Sequence, residues 1–165
     1  MRTEYSPLHK VLHWATLGLF LIQLWTYPAI GRTHVDHPGM LVDPWDLQLH
    51  KIHMISGGLI LAFALMRLWL KRRNPVAPPP FPHPLLETLA RYAHIALYGT
   101  LLLLPVTGFL KSYIVSAAGP VHILLTRLLY ALLVLHIVGA IMHAVVWRDG
   151  LLARMGLRLP FQRQP

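Results

Sequence analysis

Two histidines, His122 and His136, stand 14 residues apart in one apolar stretch, and five others (His9, His13, His50, His53 and His94) fall in three further apolar stretches. At about 100° per residue, fourteen steps return a helical side chain to within roughly 40° of its starting direction, about 21 Å further along the axis. One helix face would thus carry two imidazoles at two depths of a hydrocarbon layer about 30 Å thick. Imidazole is a common ligand of transition metals. The chain holds eleven histidines and no cysteine. Disulfides, iron–sulfur clusters, thiolate catalysis and covalent haem attachment through C-x-x-C-H are therefore excluded.

The remaining histidines repeat the pattern. His9 and His13 are four apart and His50 and His53 three apart, spacings that share a helix face, and His143 follows His136 by seven. Polar side chains on inward faces of membrane helices mark functional sites.

Composition supplies the medium. The 165 residues are 55% hydrophobic and only 13% charged, against about 25% charged in soluble domains, which points to a membrane protein. The net charge of +9 is concentrated at the ends of apolar runs, a pattern suited to lipid headgroups and not to nucleic acid. Four stretches are long enough to cross a bilayer, at about 8–30, 49–70, 86–110 and 121–147, in one domain covering 1–165. The first lacks an A-x-A cleavage signal and reads as a retained span. Residues 74–84 include Pro-Val-Ala-Pro-Pro-Pro-Phe-Pro-His-Pro, a stiff connector that cannot be helical.

Arg67, Lys71, Arg72 and Arg73 follow span two, and Arg148, Arg154, Arg158 and Arg163 follow span four, while Asp36, Asp43 and Asp46 outnumber Arg32 in the first loop. Both termini and the second loop are therefore expected in the cytoplasm. Spans two and four then start on the outer side. His53 and His122 lie toward that side, and His13 and His136 toward the inner one. The natural pairs are His53 with His122 and His13 with His136, each bridging two helices of an all-α four-helix bundle. Two imidazoles on opposite faces of a macrocycle give a six-coordinate haem iron, suited to electron transfer. A zinc site would need three or four ligands at one depth, and no carboxylate joins His9, His13 and His143.

The sequence resembles the bacterial cytochrome b561 family, four-helix dihaem membrane proteins related to the cytochrome b subunits of hydrogenases and formate dehydrogenases. The resemblance rests on Tyr5-Ser6-Pro7-Leu8, Leu12-His13-Trp14, His53-Met54-Ile55-Ser56-Gly57, Met66-Arg67-Leu68, His94-Ile95-Ala96-Leu97-Tyr98, Leu104-Pro105-Val106-Thr107-Gly108, the His122/His136 spacing, and His143 with 147–155. It implies two haems b with His13, His53, His122 and His136 as axial iron ligands, and favours His53 over His50. His143 is the alternative for the inner ligand, or a residue near a quinone.

The resemblance further implies a multi-pass protein of the bacterial inner membrane. Electrons would pass between ubiquinone or menaquinone and an outer-side partner, such as superoxide or a periplasmic dehydrogenase. Quinone oxidoreductase activity and a homodimer or larger complex follow from it, and the alternative is a membrane-anchor subunit of a dehydrogenase or hydrogenase. Ile123, Arg91 and the short segment 111–120 depart from the family pattern, and they leave the four histidines in place.

Several residues have plainer readings beside these. Gly57, Gly58 and Gly108 permit close approach of a porphyrin or a helix, and Pro105 kinks its span. Arg67 and Lys51 are span-end cations or propionate partners. Arg127 awaits a partner at a subunit interface, a headgroup or a propionate. His34 and His37 are solvated loop residues.

Overall fold

The computed structural model describes residues 4–33 and 42–157. His34, His37, Asp36, Arg158, Arg163 and both chain ends lie outside the described residues.

Helices begin where a capping side chain meets proline. Ser6 precedes Pro7 at the start of α1 (Pro7–Thr33) and its hydroxyl accepts from the His9 amide at 3.3 Å. Asp43 precedes Pro44 at the start of α2 (Pro44–Arg73) and accepts from Trp45 N at 2.8 Å. His83 precedes Pro84 at the start of α3 (Pro84–Tyr113) and accepts from Leu85 N at 3.1 Å. In each case proline occupies a position whose amide has no intrahelical partner, and the cap satisfies one that follows. A short 3-10 turn, Ser116–Ala118, leads into α4 (Gly119–Ile141). Its last turn widens into a π-helical segment, Met142–Trp147. Arg148 (φ 51°) and Gly150 (φ 75°) then reverse the chain into α5 (Leu151–Arg154). Among the described residues there is no strand, and 74–83 contains no helix.

The packing reverses that of a water-soluble bundle. The tightest positions belong to small or polar residues, with Thr26, Ala29 and Ala64 all at 0% exposure, while many Leu, Ile, Val and aromatic side chains on all four long helices face outward and Leu12, Leu49, Ile60, Leu97 and Leu129 are among the few large ones buried. Small residues let backbones approach, and apolar side chains meet lipid. Among the described residues three helices, those of Pro44–Arg73, Pro84–Tyr113 and Ser116–Trp147, are long and apolar enough to cross a membrane. At 27 residues α1 is long enough as well, and the polar His13, Gln23 and Thr26 interrupt its apolar run. Two of these interruptions, Gln23 and Thr26, turn toward α2.

The bundle consists of two helix pairs. α1 lies on α2 and α4 on α3, with α2 and α3 forming the seam. α1 and α4 meet through long side chains, Phe20 against Tyr130 at 6.2 Å between ring centroids and His13 against His136. Both ends are tied. At one, Arg32 Nε and Nη2 each donate to a carboxylate oxygen of Asp46 at 2.6 Å. At the other, Trp14 Nε1 donates to the Met155 carbonyl at 2.9 Å and Arg154 Nη1 to that of Ala77 at 2.9 Å.

Candidate functional site

Nearest the Asp46 end, Thr33 meets His50 Nδ1 at 2.9 Å. One turn deeper stands His53. Its Nδ1 is 2.9 Å from the Thr26 hydroxyl, which itself donates to the Ile22 carbonyl at 2.8 Å. With its hydrogen committed there, the Thr26 oxygen is left to accept from His53 Nδ1–H. Gln23 Nε2 fastens the same turn of α2, donating to the His53 carbonyl at 2.6 Å and to Ser56 Oγ at 2.7 Å.

His122 is oriented by α3. Its Nδ1 is 3.0 Å from the Leu104 carbonyl, which can only accept, so this nitrogen carries the proton. Thr107 Oγ1 lies 3.1 Å from the same nitrogen. A Cβ added to Gly108 would stand 3.2 Å from His122 Cε1, so a glycine is what admits the ring. The segment from Leu104 to Gly108 forms a seat for one imidazole. Both His53 and His122 thereby keep Nε2 as a lone pair available to a metal, and the two rings lie within electrostatic range of each other.

The second level lies toward the Arg73 end. The His13 and His136 rings face across α1 and α4 with centroids 6.3 Å apart and planes at 59°. His94 approaches His136 from α3 at 5.3 Å, with its Nδ1 held by the Ala90 carbonyl at 2.7 Å. Arg67 Nη2 donates to His13 Nδ1 at 3.1 Å.

His143 goes elsewhere. It is 5% exposed, its Nδ1 is bonded to Asp149 Oδ2, and its ring packs on Phe81 at 5.2 Å and Trp147 at 4.4 Å. The seven-residue spacing from His136 does not carry it to His13. The π-helical turn and the reversal at Arg148 deliver it to Asp149. A shallow cavity of about 300 Å³ lined by Pro80, Phe81, Pro82, Trp147 and Asp149 opens beside this pair. Arg127 is exposed on α4.

An all-helical apolar chain whose helices turn histidines toward one another has the makings of a membrane electron-transfer cytochrome. Residues 4–157 match the family described as prokaryotic cytochrome b561, and the chain belongs to that family. Its members are membrane electron-transfer cytochromes that carry b-type haem. A Yersinia pestis protein named "Probable superoxide oxidase CybB" is 25% identical over 94% of this chain and 97% of its own length. No solved structure gives a significant match.

The residues fit such a group. Two metal–nitrogen bonds of about 2 Å, each extended by about 1 Å to a ring centre, span about 6 Å between imidazole centroids. His13 and His136 stand at 6.3 Å. Beside them Arg67 Nε is buried without a hydrogen-bond partner, as expected of a cation facing a missing anion.

Gln23 and Thr26 are not marked by any motif of the sequence, and Thr107 and Asp149 stand in it only as members of the family motifs, with no role of their own. Hydroxyl residues one or more turns from a histidine on a neighbouring span were the available signal. The Pro-rich connector, read as a spacer, also supplies Phe81 to the His143 pocket and the Ala77 carbonyl to Arg154.

Proposed function

We propose that this chain is a four-span dihaem cytochrome b of a bacterial inner membrane, with α1 as the fourth span and both termini cytoplasmic. It would pass electrons between an outer-side donor and a quinone. The observation that carries this reading is the 6.3 Å approach of His13 to His136 at one level, with His53 and His122 oriented at another. His53 and His122 are the proposed axial ligands of the outer iron, and His13 and His136 those of the inner one. When bound, b-type haem supplies reversible one-electron chemistry at an iron with no open position. The protein's part is to fix ligand tautomers, hold the two levels apart and keep water out.

Superoxide is the proposed outer donor, in keeping with the name of the Yersinia relative. Two superoxide anions would each lose one electron to become dioxygen, and the two electrons with two protons would convert a quinone to its quinol. The quinone head is proposed to sit against Phe81 and Trp147, where His143, paired with Asp149, can pass a proton at the membrane edge.

The test is an absorption spectrum of purified protein, oxidised and then dithionite-reduced, with haem quantified per chain. A bis-histidine b-type spectrum at two haems per chain is expected, and a colourless protein overturns the reading. Co-purification of a hydrophilic catalytic subunit would instead support the anchor-subunit alternative.

A further inference from the structure

Arg67 lies near the end of α2, yet its guanidinium turns inward and stops on an imidazole. Nη2 is 3.1 Å from His13 Nδ1 and the guanidinium carbon 5.5 Å from the Tyr98 ring centroid, while Nε is buried with no partner. Among the described residues the ion pairs are Lys10–Glu4, Arg32–Asp46 and His143–Asp149, and Arg67 belongs to none of them. A half-buried guanidinium attended only by neutral groups is costly, and a carboxylate or phosphate relieves that cost best because it accepts two parallel hydrogen bonds.

We propose that Arg67 is the carboxylate-binding cation of the inner haem site, pairing with a haem propionate there. The inference rests on the dihaem reading above. A charge-assisted pair is worth about 1.5–3 kcal/mol, roughly ten- to a hundredfold in affinity.

The experiment titrates haem-free full-length chain in nanodiscs with ferric protoporphyrin IX and, separately, with its dimethyl ester, following the Soret band. Wild type should bind two equivalents of the free acid, and the inner-site step is the one lost in His136→Ala. Arg67→Gln should weaken that step about tenfold or more, Arg67→Lys should recover part of the loss, and the ester should bind the inner site equally poorly in wild type and Arg67→Gln. Equal inner-site binding of acid and ester by wild type overturns the proposal, and this arm needs no Arg67 variant to fold. Equal losses for acid and ester in Arg67→Gln overturn it as well, and so does an Arg67 effect seen only with anionic lipid, which would make a lipid phosphate the partner. Absence of any haem binding by wild type is a different outcome, which overturns the dihaem reading itself.

Discussion

The hydroxyl of Thr26 on α1 lies 2.9 Å from His53 Nδ1 on α2 while donating to the Ile22 carbonyl of its own helix. One small side chain thus satisfies its own backbone and sets the protonation of a neighbour's ring. Partners of this kind tune metal affinity by about ten- to a hundredfold. Thr26→Val keeps the shape and removes the acceptor. It is expected to lower outer-haem affinity by about that factor while leaving the helix intact, as read by haem titration alongside circular dichroism.

His122→Ala and His136→Ala should perturb different haems. Low-temperature reduced spectra or redox titration of the two variants should each lose one component, and not the same one. Loss of the same component from both would refute the pairing of His122 with His53 and of His136 with His13.

Gly108 gives His122 its room. A methyl group there would stand 3.2 Å from Cε1, so Gly108→Ala must push the ring by a few tenths of an ångström. The expected outcome is a changed electron paramagnetic resonance signal of the outer ferric haem with an unchanged inner one.

Asp149→Asn removes the charge that faces His143 Nδ1. Proton transfer assisted by a positioned side chain is worth about 10²–10⁴ in rate. Steady-state quinone reduction by this variant should fall by about a hundredfold while haem content and spectra stay as in wild type. A normal quinone rate would remove His143 and Asp149 from the proposed quinone site.

Much of this architecture was legible before any coordinates. The apolar runs showed the four long helices but not where they begin: they start α2 at about 49 and α3 at about 86, whereas Asp43-Pro44 and His83-Pro84 start them at Pro44 and Pro84, a cap followed by proline using the one place where a missing amide costs nothing. The prolines of the connector exclude helix there for the opposite reason. The hydroxyl partners were hidden. A serine or threonine in a helix is already satisfied by its own i−4 carbonyl, as Thr16, Ser56 and Thr126 are, so its type says nothing of what it meets across the bundle. The partnership of His143 and Asp149 was hidden too. It depends on a left-handed Arg148, a conformation that a non-glycine residue adopts uncommonly and that no local signal announced.

The seat formed from Leu104 to Gly108 has a consequence for energetics. A carbonyl that accepts the Nδ1 proton of His122 makes the ring a more electron-rich donor. On the proposed ligation, such a donor stabilises ferric over ferrous iron and lowers the outer reduction potential. At the inner level the cation Arg67 lies beside His13 instead, and a positive charge near an iron favours its reduced state. The expected result is a reduction potential that rises from the outer haem to the inner one, so that electrons entering from outside run downhill. On this reading α3, which contributes none of the four proposed ligands, sets the direction of flow.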